Sequence, residues 1–262
     1  MQEFESIIRL SVFFGLLLVL MAAEALWPRK QRRLARGQRW LNNLLLTFGN
    51  TLVLRLLVPV TGVAAAAFAA SNGIGVFNWL AVPAWLAVVA SVLLLDMLIY
   101  WQHVAFHKVP VLWRLHRVHH SDTDIDVTTG SRFHTIEIIL SMLIKLVAIM
   151  VLGVPVVAVI LFEVILNGMA MFNHANLRLP HSVDRLLRQV LVTPDFHRVH
   201  HSVHRDECNS NYGFNLSLWD RLFNSYVAQP RDGHDDMQIG QKQFRDQRSI
   251  GLHWLLIQPW LK

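Results

Sequence analysis

The 262 residues hold one cysteine, Cys208, so an intrachain disulfide is excluded. Charge is scarce too. Asp, Glu, Lys and Arg make up 16% of the chain, against about a quarter in soluble domains. The opening MQEFES has neither Lys nor Arg. That is a poor start for a cleaved signal peptide, so the apolar block behind it is expected to stay as an anchor. No nucleic-acid recognition motif accompanies the formal charge of +6, and nucleic acid is not the expected partner. What the chain has in excess is apolar residues, 53% of the total. They fall in long blocks, which points to membrane spans rather than to a larger core.

The first block runs from Ile7 to Trp27, about the ~20 residues a span requires, with Glu24 at headgroup level near its end. Arg29, Lys30, Arg32, Arg33, Arg36 and Arg39 follow, and this basic loop reads as cytoplasmic. A second block, Leu41 to about Ala70, contains Arg55 and Pro59. Either it is kinked, or only its later part spans. Arg55 either snorkels or lines a polar cavity. The loop at 71–79 has no charge and suits the far side. A third block, Ala81 to about Tyr100, returns the chain to the cytoplasm. Two more runs, 136–152 and 154–173, meet at Gly153-Val154-Pro155, which breaks a helix and makes a hairpin. Glu163 and Asn167 lie one turn apart inside it, placed either to meet a polar headgroup or to pair with each other. Helical patterning returns near 183–191 and 216–227.

Against this background stands a repeat. HRVHHS occurs at 116–121 and again at 197–202. Eleven of the 14 histidines lie between positions 103 and 201. His103 and His107 are four apart and share a helix face with Asp96 and Tyr100. His116, His119 and His120 are spaced HxxHH, as are His197, His200 and His201, and His174 ends the hairpin. Neutral imidazole is a strong ligand for Zn, Fe, Cu and Ni. Three rings on one turn cannot all reach one ion, but they can serve two, the adjacent pair splitting between them. Nine histidines exceed one ion's shell of about four to six ligands, so two metals is the economical count. The span topology puts every cluster on one side of the membrane. His181, His204, His234 and His253 read as ordinary polar residues outside the site.

These motifs resemble those of the fatty acid hydroxylase and sterol desaturase superfamily of integral membrane di-iron enzymes. SRFHTIE at 131–137 is similar to that family's R-x-H-P-x-E element, with Thr135 at the usual Pro. FNHANLRLP at 172–180 and SNYGFNLSLWDRLFNSY at 210–226 resemble two further signatures, Asn224 standing at a common Gly. The resemblance covers roughly 90–227. It implies an all-α fold of multi-span membrane helices, with a cytosolic helical cap holding a histidine-rich dimetal site. It also implies two Fe ions, with Zn able to replace them, and O2 as co-substrate. His103, His107, His116, His119, His120, His174, His197, His200 and His201 match its ligand positions. Some members carry another His where this chain has Ala170. Either His134 completes the set, or the set is one ligand short and His134 bonds to Glu137 or Arg132.

An unactivated C–H bond yields only to an oxidant that no side chain provides, and a metal supplies it. An all-imidazole shell leaves metal charge uncompensated, so nearby acids are expected to orient the rings. The candidates are Asp122, Asp124, Asp126, Glu137, Asp195 and Asp206. The expectation is a membrane-bound, O2-dependent di-iron oxidoreductase that hydroxylates or desaturates a sterol-like, fatty acyl or related lipid. Residues 1–80 would anchor it, 81–228 would carry the chemistry and 229–262 would form a tail. The lipid would come from the bilayer, and the site would face the cytoplasm at the inner membrane. With one cysteine the chain holds no iron–sulfur cluster of its own, so a separate reductase would donate electrons. The alternatives are a membrane metal-binding or transport protein, and a non-catalytic descendant that uses the metals structurally.

Overall fold

A computed structural model describes residues 2–32, 34 and 36–261, with side chains from Leu10 onward. Arg33, one of the six loop cations, lies outside the described residues, as do the side chains of the opening acids. The described chain is helical, with isolated bridges and no strand. Helices α1 (Gln2–Leu26), α2 (Arg36–Leu57), α3 (Gly62–Ser71) and α4 (Val76–Trp79) precede α5 (Ala84–Lys108) and α6 (Pro110–His120). The hairpin is α7 (Thr135–Leu152) and α8 (Val156–His174). Short helices complete the cap: α9 (His181–Leu187), α10 (Pro194–His200), α11 (Arg205–Cys208), α12 (Leu218–Leu222), α13 (Gly233–Asp236) and α14 (Leu252–Ile257).

Among the described residues, four segments are long and apolar enough to cross a membrane: Arg36–Trp79, Ala84–Lys108, Thr135–Leu152 and Val156–His174. Leu10–Leu26 is a shorter apolar helix. The second apolar block is broken, as Pro59 requires. Residues 58–61 leave the helix, and the Thr61 hydroxyl caps α3 by accepting from Ala64 N. The hairpin turns where Gly153 adopts φ 66°, a left-handed cap that suits glycine. The loop before α4 docks there. A Cβ on Gly75 would lie 2.2 Å from Gly153 N, so this approach needs glycine.

Inside the spans, Val63, Ala66, Leu95, Ile149, Ala158, Val159 and Phe162 pack α3, α5, α7 and α8 together. Leu20 of α1 packs against Met171 of α8. The outward faces carry exposed apolar side chains such as Phe48, Leu56, Val147 and Val157. That pattern fits lipid contact.

The basic loop, read from sequence as a cytoplasmic signal, is also built into the packing. Arg39 is 1% exposed and pairs with Asp122 and Asp126. Arg29 binds Asp195 at 2.9 Å, and Lys30 donates to Met237 O. Glu24, placed by the sequence near the headgroups, takes part in the same network. It is buried, accepts from Val127 N and Asn176 N, and pairs with Arg32. A buried charge must find partners, and here most of them come from segments far away in sequence. The loop is therefore a structural part of the cap. Residues 229–261 pack on it as well: Arg132 donates to Ser249 O, and Arg117 to Gln258 O and Leu261 O.

Candidate metal centre

Both copies of HRVHHS end short helices with proline in the first turn, Pro110 in α6 and Pro194 in α10. Thr193 caps α10 by accepting from Phe196 N. The i, i+3, i+4 spacing puts each trio on one face. Helix α5 delivers His103 and His107, and the end of α8 delivers His174. All nine rings are at least 94% buried.

They form two groups. His103, His107, His116, His120 and His200 make one; His119, His174, His197 and His201 make the other. Within each, one ring nitrogen per residue lies within 4.8 Å of every other. Each hexapeptide is divided between them. The first sends His116 and His120 to the larger group and His119 to the smaller. The second sends His197 and His201 to the smaller and His200 to the larger.

Several rings are fixed from behind. His103 Nδ1 lies 2.7 Å from Tyr212 O, His200 Nδ1 2.7 Å from Ser210 O, and His174 Nδ1 2.7 Å from Ala170 O. His116 Nδ1 is 2.6 Å from Glu137 Oε1, and His119 Nδ1 is 3.3 Å from Arg132 O. A carbonyl or carboxylate accepts, so each Nδ1 carries the proton and each Nε2 presents a lone pair. The Nε2 atoms of His103 and His116 are 3.1 Å apart, and those of His119 and His174 are 3.0 Å apart. Two lone pairs at that separation repel unless a cation lies between their directions. Nε2 of His120 and of His200, and both ring nitrogens of His107, are buried with no hydrogen-bond partner among the described residues. Buried unpaired nitrogens are costly. Both observations fit a donor set built for metal ions.

Burial, reinforced by neighbouring imidazoles, lowers His119, His120, His197, His200 and His201 well below the usual histidine range. Burial brings His116 to about 3. These rings are neutral at pH 7, as ligands must be. Cys208 is different. Burial pushes its thiol up to about 12, and its Sγ sits 3.7 Å from His120 Nδ1.

The structure does not bring His134 to either group. It is the N-cap of α7: Nδ1 accepts from Ile136 N, and Nε2 lies 3.0 Å from Leu256 O. Both nitrogens are committed to backbone. Of the six candidate acids, Glu137 touches a ring. Asp122 and Asp126 hold Arg39, Asp124 accepts from Leu34 N, Asp195 holds Arg29, and Asp206 pairs with Arg231 at the surface. Residue-type reasoning missed the carbonyls of Tyr212 and Ser210. Their signal was the 210–226 signature. Asp220 accepts from Tyr212 N and Gly213 N at 2.7 Å each, fixing the turn that carries both carbonyls.

A cavity of about 990 Å³ opens beside the larger group. His103, His116, Phe106 and Phe133 form one end, and Arg55, Thr61 and Glu163 line it farther into the span region. Ala170, where a further histidine was considered, lines it too. A second opening, about 330 Å³, reaches His107 past Trp113 and carries Arg117, Arg205 and Lys242.

The fatty acid hydroxylase family model matches residues 88–225, which contain all nine rings. The chain belongs to the fatty acid hydroxylase family. It is 29% identical over 160 residues to the ornithine lipid hydroxylase OlsE of Rhizobium tropici, covering 61% of this chain and 47% of that one. It is 28% identical over 135 residues to the alkylglycerol monooxygenase of Homo sapiens, covering 50% and 28%. It is 30% identical over 135 residues to a cholesterol 25-hydroxylase-like protein of Danio rerio, covering 51% and 53%. The chain thus spans about half or less of each of these relatives. No solved structure matches it.

Proposed function

We propose that this fatty acid hydroxylase family member is a membrane lipid hydroxylase, and that its nine clustered histidines hold two iron ions at the cytoplasmic face of the inner membrane. The observation that carries the reading is the division of nine buried rings into two donor groups beside a large cavity among the spans. Bound iron supplies the redox chemistry for O2 that no side chain has. Overall, one oxygen atom enters a C–H bond and the other leaves as water, with two electrons and two protons consumed. The names of the relatives favour hydroxylation over desaturation.

The chain's own residues do the rest. Phe106, Phe133 and Phe214 line the cavity near His103 and His116, and keep water from the reacting carbon. Glu137 offsets charge at His116. Residues 81–228 carry the chemistry, 1–80 anchor the chain and close the cap from below, and 229–262 cover it. A separate reductase delivers electrons, and the cationic opening at His107 suits its approach.

The test is purified protein loaded with ferrous iron, given reductant, O2 and a membrane lipid extract, with products read by mass spectrometry. A lipid gaining one oxygen is expected with wild type and absent with His119→Ala or His200→Ala. Full turnover in either variant refutes the assignment. Metal retention with no oxygen uptake on any lipid would instead favour a structural role. Zinc in the purified protein would not decide, because it outcompetes ferrous iron at imidazole sites.

A further inference from the structure

The cavity has a polar wall that the metal centre does not explain. Besides its aromatic end it is lined by Thr51, Arg55, Gln102, Ser141, Glu163 and Asn167. Polar side chains at span depth are expensive and mark a functional path. Glu163 has a protein partner, with Lys145 Nζ 2.6 Å from its Oε1. Arg55 is different. It is exposed where it lines the cavity, and no hydrogen bond or ion pair joins it to any described residue. An arginine cannot shed its charge, so at span depth a negative group from elsewhere suits it.

Its depth follows from α2. Asn50 donates to Phe133 O and accepts from the Thr135 hydroxyl. Phe133 in turn stacks on His119 at 4.4 Å between ring centroids. Asn50 therefore marks the level of the metal centre. Arg55 is five residues farther along, which is about 7.5 Å at a helical rise of about 1.5 Å per residue. Arg55 is thus carried at a deeper level of the helix than Asn50, on the wall of the same cavity that His103 and His116 line.

We propose that Arg55 is the anchor for the anionic group of an amphiphilic lipid, holding a carboxylate or a phosphate at a set distance from the metal centre. Resting on the reading of the cavity as the lipid site, this makes Arg55 a specificity-determining residue. It selects anionic amphiphiles over neutral ones and sets how far along the molecule oxidation occurs. A planar guanidinium matches carboxylate and phosphate alike. The fixed anion leaves the hydrocarbon to lie along Ile99, Leu54 and Leu166 on the cavity wall.

The test is lipid binding to full-length protein in neutral detergent, read by tryptophan fluorescence, with palmitate, lysophosphatidate and hexadecanol as probes. Wild type is expected to prefer at least one anion over hexadecanol, and which anion wins identifies the headgroup chemistry. Arg55→Gln should weaken that anion about tenfold or more and leave hexadecanol unchanged. No preference for either anion in wild type, or an unaltered preference in Arg55→Gln, overturns the proposal. If Arg55→Gln loses hexadecanol as well, Arg55→Lys decides: retained anion preference supports the anchor, and lost preference in a variant that still binds hexadecanol overturns it. Oxygen incorporation is scored separately. Anion binding through Arg55 without any oxidised product would sink the hydroxylase reading and leave this one standing.

Discussion

Replacing Glu137 by alanine should empty half of the metal centre and spare the other half. Glu137 is 4% exposed, and its Oε1 lies 2.6 Å from His116 Nδ1. That contact fixes the tautomer which turns His116 Nε2 toward His103. Without the carboxylate the Nδ1–H is buried and unmatched, and the ring loses its orientation. Removing such an outer partner lowers metal affinity about 10–100-fold, or about 1.4–2.7 kcal/mol. The loss should be local. His119 and His174 in the smaller group are held by Arg132 O and Ala170 O, which the substitution leaves in place. The assay is metal content after dialysis against a graded series of chelator concentrations. Wild type should release its metal in one range. Glu137→Ala should release half at about 10–100-fold lower chelator, and Glu137→Gln, which keeps an acceptor oxygen, should fall between. Release of all the metal together, or a wild-type profile, would refute the separation into two groups.

Two further outcomes follow from residues beside the site. His134→Ala should keep its full metal content while losing about 1 kcal/mol of stability, the usual cost of a helix cap; metal loss would restore it as a ligand. His234 is brought to about 4 by burial, with Asp195 opposing and nearby arginines adding. Its neutral form is the folded one, so its contribution is full above about 6.5 and is lost as pH falls toward about 4. Thermal unfolding at pH 7 and pH 5 should differ less in His234→Phe than in wild type, and equal differences would exclude His234 as a source of the pH dependence.

The parts of this molecule that were readable from sequence are those with a local period. The hairpin at Gly153–Pro155 and the sharing of a face by His103 and His107 need only helix geometry and a breaker. The break after Leu57 was readable from Pro59, as was its effect on the second block. The illegible parts are long-range. Arg39 looks like one more topological cation, yet it closes a buried network with Asp122 and Asp126, some 83 residues or more away. Charge reasoning also put forward six acids behind the rings, where one makes the contact and backbone carbonyls do most of the work. Carbonyls carry no residue-type signal, so only the turn held by Asp220 could have pointed to them. His134 was ambiguous for a related reason. A histidine at a helix start serves equally as a cap or as a ligand, and the choice depends on where Leu256 O comes to lie.

Why the hexapeptide occurs twice now has a geometric answer. One HxxHH helix gives an i, i+4 pair that points to one place and an i+3 ring that points to another. A single copy would therefore leave each group short. With two copies facing each other, the pair of one helix meets the lone ring of the other, and the reverse holds at the second group. The ring contacts bear this out: the ring centroids of His120 and His200 are 4.6 Å apart, and those of His119 and His201 are 4.7 Å apart. His103 and His107 then complete one group and His174 the other. The arrangement couples the two groups mechanically, because a tilt of either short helix displaces ligands in both. Helix α6 is held by the 241–261 segment through Arg117 and Gln241, and α10 by Asn211, which donates to Phe196 O. The cap outside the rings thus has a definite task, which is to keep two short helices from moving relative to each other.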